Sequence, residues 1–268
     1  MYNVTSKEIS DLEAVDEMLL RKVLSAHSKT SLELLYLETG NLPIRYILMS
    51  RRLNFLHYIL NEDESSLIYD FFNAQNQHPV KGDWVNTVKQ DLTDIDMNMT
   101  MEDIKNTSKE VFKNIVREKV RTAAFNFLTK IQETHSKAKN LKYTGLNLQD
   151  YLSSKNKMNI KEKSFIFTAR SRMIDVKCNF KSGLTDLKCR KCFKEDEDQK
   201  HLLSCPALID NSIAQNAGHL PEYGDLYSDS DEKIEKIGKI LMSKFNQFKI
   251  PMCTDNSPVL LQPLQNWN

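Results

Sequence analysis

The chain has 268 residues, 40% of them apolar, with seven Gly, seven Pro and a net charge of +1. That is enough apolar material for one large or two small domains, and too little Gly and Pro for a collagen-like or loop-rich chain. No apolar run reaches the ~18 residues needed to cross a bilayer, and the start lacks a signal-peptide core. Five Cys, three of them clustered, point to a reducing, intracellular setting (cytoplasm or nucleus) rather than a disulfide scaffold.

Helix signals dominate from the N-terminus, so the expected fold class is mainly α. Thr5 with Glu8 three residues on reads as a capping box. Ile9, Leu12, Val15, Leu19, Leu20, Val23 and Leu24 then give one apolar face. A short helix over Leu32–Leu37 is stopped by Gly40. Pro43 suits the first turn of a helix over Ile44–Leu60, with Ile47, Leu48, Leu53, Phe55, Leu56 and Ile59 inward. Leu67–Asn73 is another short amphipathic piece, a turn at His78–Asp83 precedes a helix led by Trp84, and Thr100 caps Met101–Lys105. The longest helix is expected from Ser108 to about Lys137, burying Phe112, Ile115, Val116, Ala123, Phe127 and Ile131.

On another face of that helix Lys109, Lys113, Arg117 and Arg121 recur at i+4, a spacing at which like charges repel. Glu110 and Glu118 offset part of this, so the row reads equally as a solvated surface or as a phosphate-binding one. A polar, basic connection over Lys137–Lys163 carries one apolar turn around Leu148–Leu152. A helix over Ile160–Lys177 follows, with Phe165, Ile166, Ala169 and Met173 inward and Lys161, Lys163, Arg170, Arg172 and Lys177 outward. Asp231–Phe248 forms a last amphipathic helix, and the residues after Pro251 read as a tail. The expected division is a helical region (1–150), a basic helix and connector (151–183), a Cys/His module (184–207) and a C-terminal helix with tail (208–268). The charge is strongly segregated. Residues 105–181 carry 18 Lys/Arg against 6 Asp/Glu, whereas residues 1–104 carry 9 against 17 and residues 182–268 carry 10 against 13. An excess of that size in the middle of the chain suggests a polyanionic partner, RNA or DNA.

Cys189, Cys192, His201 and Cys205 form a C-x2-C-x8-H-x3-C set, so four of the chain's eleven Cys and His residues fall within seventeen positions. Zn²⁺ takes four N/S donors, and two close pairs joined by a short loop supply them. His201 and Cys205 lie at i and i+4, which places both on one face of a helix beginning near Gln199, and Pro206 ends it. With four protein donors the site is structural, since none is left open for a water. Cys178 and Cys253 read as ordinary small residues, and His27, His57, His78, His135 and His219 as surface or core histidines. The acidic clusters Glu62–Glu64 and Glu195–Asp198 read as solvated loops. No Gly-rich phosphate loop, G-x-S-x-G or H-E-x-x-H occurs, and no catalytic residue is assigned.

Three strings occur in order: E-T-G-N-L-P-I-R-Y-I-L-M-S-R-R-L-N-F-L-H-Y-I-L (Glu38–Leu60), H-P-V-K-G-D-W-V (His78–Val85) and C-R-K-C…H-L-L-S-C-P (Cys189–Pro206). Together they resemble the region that follows the reverse-transcriptase core of non-LTR (LINE-type) retrotransposons, over about three quarters of the chain. The resemblance implies thumb-like helices and a Cys/His module that help grip template RNA and target DNA. It matches Cys189, Cys192, His201 and Cys205 to the family's zinc ligands, and Arg45, Arg51 and Arg52 to its basic helix. The polymerase's Tyr-x-Asp-Asp is missing, and no P-D…D/E…K nuclease pattern follows Pro206. The expectation is a non-catalytic, zinc-containing nucleic-acid-binding module. The alternatives are one part of an RNA-directed DNA polymerase whose palm lies on a preceding portion, or a helical protein-interaction scaffold.

Overall fold

The computed structural model describes residues 4–135, 141–180, 186–208, 222–228 and 230–249. The tail after Pro251, Cys253 and His219 lie outside them. The described residues form ten α-helices and no strand beyond one isolated bridge, Lys188 with Asp196. The helices are α1 (Ser6–Leu24), α2 (Leu32–Thr39), α3 (Ile44–Leu60), α4 (Leu67–Gln77), α5 (Trp84–Asp94), α6 (Met101–Asn106), α7 (Lys109–Thr134), α8 (Ile160–Arg170), α9 (Gln199–Ser204) and α10 (Asp231–Lys249). Among the described residues no helix is long and apolar enough to cross a membrane.

Local signals set most of these boundaries. Thr5 and Thr100 form full capping boxes with Glu8 and Asp103, and the Asp83 side chain accepts from the Asn86 backbone N–H. Gly40 closes α2 in the left-handed region at φ 67°, and a Cβ there would lie 2.3 Å from the backbone nitrogen of Leu148. Only glycine meets both demands. Pro43 takes the N-cap of α3, one position outside the first turn.

α3 is the centre of the N-terminal body. It packs against α1, α4, α5, α6 and α7, and Leu53, Leu56 and Ile59 have no exposed surface. α10 organises the C-terminal part, packing against α8, α9 and the 3-10 turn at Tyr223–Tyr227. Gly238 on α10 lies against Ile166 of α8, where a Cβ would come within 2.5 Å of the isoleucine side chain. One hydrophobic cluster joins both parts, from Leu20 and Leu24 through Leu53 and Phe112 to Leu241 and Phe248.

Three apolar faces differ from expectation. On α3 Phe55 is exposed and Ile47 and Leu48 are half-buried, while Tyr46 and Met49 are buried with Leu53, Leu56 and Ile59. On α7 the buried row is Phe112, Val116, Val120, Ala124, Leu128 and Gln132, while Phe127 is exposed. A strict i+4 row winds slowly around its helix, which suits a helix packed against both α2 and α3. On α1 only Leu20 and Leu24 are buried. Leu12, Val15, Met18, Leu19 and Val23 face solvent, because the inward face is instead lined by polar groups with partners. Asp16 accepts from the Tyr36 hydroxyl at 2.8 Å, and Glu13 accepts two bonds from Arg45.

Where the two parts meet, Glu38 is 1% exposed. Its Oε1 accepts from Arg170 Nε at 2.9 Å and from the Tyr143 hydroxyl at 2.8 Å, and its Oε2 accepts from the Tyr151 hydroxyl at 2.8 Å. Arg170 also donates to the Leu226 carbonyl at 2.7 Å. Burial and the Glu38 charge together push the Tyr143 and Tyr151 hydroxyls well above the usual tyrosine range. Burial works against the Arg170 cation, and Glu38 and the two tyrosines outweigh it.

Candidate metal centre and the cationic surface

Between Lys188 and Asp196 the chain makes a tight turn that points two cysteines at one place. The Cys189 backbone N–H donates to the Glu195 carbonyl at 2.8 Å, and the Phe193 N–H donates to the Cys189 carbonyl at 2.9 Å. Phe193 takes φ 57° to close the turn. The second pair comes from α9, which starts at Gln199 as its spacing requires and is capped by Asp198, whose side chain accepts from the His201 N–H at 2.6 Å. His201 lies in the helix and Cys205 at its C-cap, followed by Pro206.

The donor atoms of Cys189, Cys192, His201 and Cys205 all lie within 4.8 Å of one another. Cys189 and Cys205 sulfurs are 3.9 Å apart, and Cys192 Sγ is 3.2 Å from His201 Nε2. Tetrahedral thiolates at a metal–sulfur distance of ~2.3 Å would sit about 3.8 Å apart. This Cys₃His group can hold one metal ion. Cys189, His201 and Cys205 are buried and Cys192 is half-buried. The other described cysteine, Cys178, stands apart from this group.

The thiols differ in acidity. Backbone N–H groups of Lys194 and Glu195 draw the Cys192 thiol down to about 6, with Cys189 and His201 adding to the effect. Burial pushes the Cys205 thiol up to about 12 against an opposing N–H from Ala207, and neighbouring Cys189 raises it further. A cation among the four donors would favour the thiolate forms of all three cysteines in this largely buried site.

Two residues of the acidic run brace the centre: Glu195 does so from a solvent-exposed position, as expected of a solvated loop, whereas Glu197 is buried. Glu195 Oε2 lies 2.9 Å from His201 Nδ1, fixing the ring so that Nε2 faces the cysteines. Glu197 has no exposed surface and accepts from the backbone N–H groups of Lys177 and Arg190, each at 2.9 Å, and from the Arg190 guanidinium. Gln199 anchors α9 to the rest, donating to the Ala169 carbonyl at 2.9 Å. Short-range sequence pattern carries no mark of these roles, except that an acidic residue close to a ligating histidine is a common orienting device.

The twelve cationic candidates separate into two groups. Arg170 points inward to Glu38 rather than outward, because α8 ends at Arg170 and its last turn packs into the core. Arg52 makes a bidentate pair with Asp91 at 2.6 and 2.8 Å, and Arg45 makes one with Glu13. Burial raises the Asp91 carboxyl, with Arg52 opposing that shift. Arg121 donates to the Leu146 carbonyl, Lys163 to the Ser153 carbonyl, and Lys177 to Asp186 and the Lys188 carbonyl. Arg172 is half-buried beside Tyr227 and Tyr223. Exposed candidates remain in Arg51, Lys109, Lys113, Arg117 and Lys161, and Lys113 lies 3.6 Å from Glu110. Arg51 projects from α3 and Lys109, Lys113 and Arg117 from its neighbour α7, so the structure brings those four onto two adjoining helices. No protein family, curated protein or solved structure matches the chain.

Proposed function

We propose that the protein is a non-catalytic nucleic-acid-binding module whose Cys₃His group holds a structural Zn²⁺. Three thiolates and one imidazole are a donor set that suits Zn²⁺, and four protein donors leave no open position for chemistry. The observation carrying the binding reading is the exposed i+4 row Lys109, Lys113 and Arg117 on α7, with Arg51 exposed on the helix packed against it, α3. Charges held at that spacing repel one another, and phosphates spaced along a strand relieve that cost while releasing counterions. Phosphate contacts give affinity with little base preference.

A salt titration against single-stranded RNA, duplex DNA and an RNA–DNA hybrid tests this. Affinity is expected to fall steeply between ~50 and ~200 mM salt, and a flat response overturns the reading. Elemental analysis tests the metal: Cys192→Ser should take zinc from one per chain to near none, and unchanged content overturns the assignment.

A second reading is favoured by the outer face of α1. Leu12, Val15, Met18, Leu19 and Val23 form an apolar stripe on solvent, which suits contact with a further protein surface. In the retroelement reading that surface is a polymerase palm preceding this region. Activity of a longer chain carrying such a palm, lost when Val15 and Leu19 become Glu, would support it.

A further inference from the structure

Between the C-terminal half of α3 and the start of α7 lies a cavity of about 400 Å³, lined by Asn54, His57, Tyr58, Glu62, Lys109 and Lys113 among others. Its size falls within the ~300–1,000 Å³ usual for small-molecule sites. Its floor is fixed. His57 is buried, stacks on Phe112 with ring centroids 5.0 Å apart, and donates from Nε2 to the Thr107 carbonyl at 2.8 Å. Its wall carries an aromatic plate. The Tyr58 ring is half exposed, and Phe55 lies nearly parallel to it at 5.8 Å, with Trp84 edge-on to Phe55 at 5.7 Å. An exposed tyrosine stacked on a second aromatic beside a cavity is an unusual use of apolar surface unless something covers it.

The polar groups sort into two kinds. After the end of α3 there is an acceptor, the half-buried Glu62 carboxylate, which holds the Tyr58 hydroxyl. At the start of α7 are cations, Lys109 and Lys113, next to Ser108, whose side chain makes no cap bond. A phosphate would be repelled by the first group and held by the second. A nucleobase suits the first, since it has a π-face for Tyr58 and N–H donors for the Glu62 carboxylate.

We infer that this cavity receives one unpaired base of a single-stranded nucleic acid, stacked on Tyr58, with the adjoining phosphate on Lys109 and Lys113. This rests on the nucleic-acid reading above and adds a preference for single strands over duplex, because a paired base cannot enter. Affinities for a short labelled single-stranded RNA and for its duplex are measured on the full chain, for the wild type and for Tyr58→Ala and Tyr58→Phe. Tyr58→Ala should weaken single-strand binding about tenfold, leaving the duplex affinity and the salt slope unchanged, because no charge is removed. Tyr58→Phe keeps the plate and should bind like the wild type. Equal single-strand affinity for wild type and Tyr58→Ala would overturn the cavity assignment while leaving the phosphate surface standing. So would an equal loss on duplex. A wild type that binds neither nucleic acid removes both. Because Tyr58 is half exposed, Tyr58→Ala is expected to keep the wild-type melting temperature, and a folding defect that moves both affinities together counts against the site.

Discussion

Around α3 the interior is Leu53, Leu56, Ile59, Phe112 and Val116, supplied by long helices whose backbone groups, the ends apart, are bonded within the helix. In residues 186–208 the buried groups are Cys189, Glu197, Gln199, His201, Leu202, Cys205 and Leu208, on a six-residue helix, the residues flanking it and a turn with one β-bridge. The first region gains stability from apolar area removed from water. The second has little such area, and its shape depends on polar groups that each need a named partner. An apolar core tolerates small errors in packing, whereas a polar one fails when a single partner is lost.

Several changes would break or sharpen that contrast. The largest effect is expected at the junction of the two regions: Glu38→Ala leaves Arg170 buried without its counter-charge and should cost about 3–5 kcal/mol in denaturant unfolding. Leu56→Ala in the apolar region should cost about 2–5 kcal/mol through the cavity it opens. A loss as small as that of a surface change would mean that α3 is not the centre of the body.

Metal removal by a chelator should act locally instead. Hydrogen exchange is expected to rise in residues 186–208 and in the part of α10 packed on α9, with α3 still protected. Uniform exposure of the whole chain would show that the metal centre supports the helical body as well. On the zinc reading, metal uptake should also depend on pH. The Cys205 thiol is up at about 12 without the ion, so its proton leaves on binding and affinity should rise at least about tenfold per pH unit. Below about 6 the dependence should steepen as Cys192 becomes protonated. A pH-independent affinity would exclude these thiols as ligands. The smallest change in stability, within about 0.5 kcal/mol, is expected for Arg117→Glu on the exposed side of α7, although it should weaken nucleic-acid binding measurably.

The features that were legible in the chain are those that neighbours in sequence specify. The limits of α3, the caps at Thr5 and Thr100, the turn before Trp84, the stop at Gly40 and the Cys/His spacing all depend on residues within a few positions. Glu38 was not legible. It reads as one more polar residue before a helix stop, and its partners lie 105, 113 and 132 residues away. The inward turn of Arg170 was hidden for the same reason. On α1 periodicity found an apolar stripe but could not say which of two faces the core would take. Glu195 and Glu197 were obscured by their setting, a run of four acidic residues that resembles ordinary hydrated loop.

The Glu38 junction also constrains the order in which a ribosome-bound chain can settle. When α2 and α3 have emerged, the carboxylate that will be sealed in the centre is still waiting for a guanidinium more than a hundred residues behind it. Until then water must keep access to that place, so the early helices can gather but cannot close. A nascent fragment ending before Arg170 should therefore remain loosely assembled and open to proteolysis near Glu38, and completion of α8 should be the step that shuts the centre.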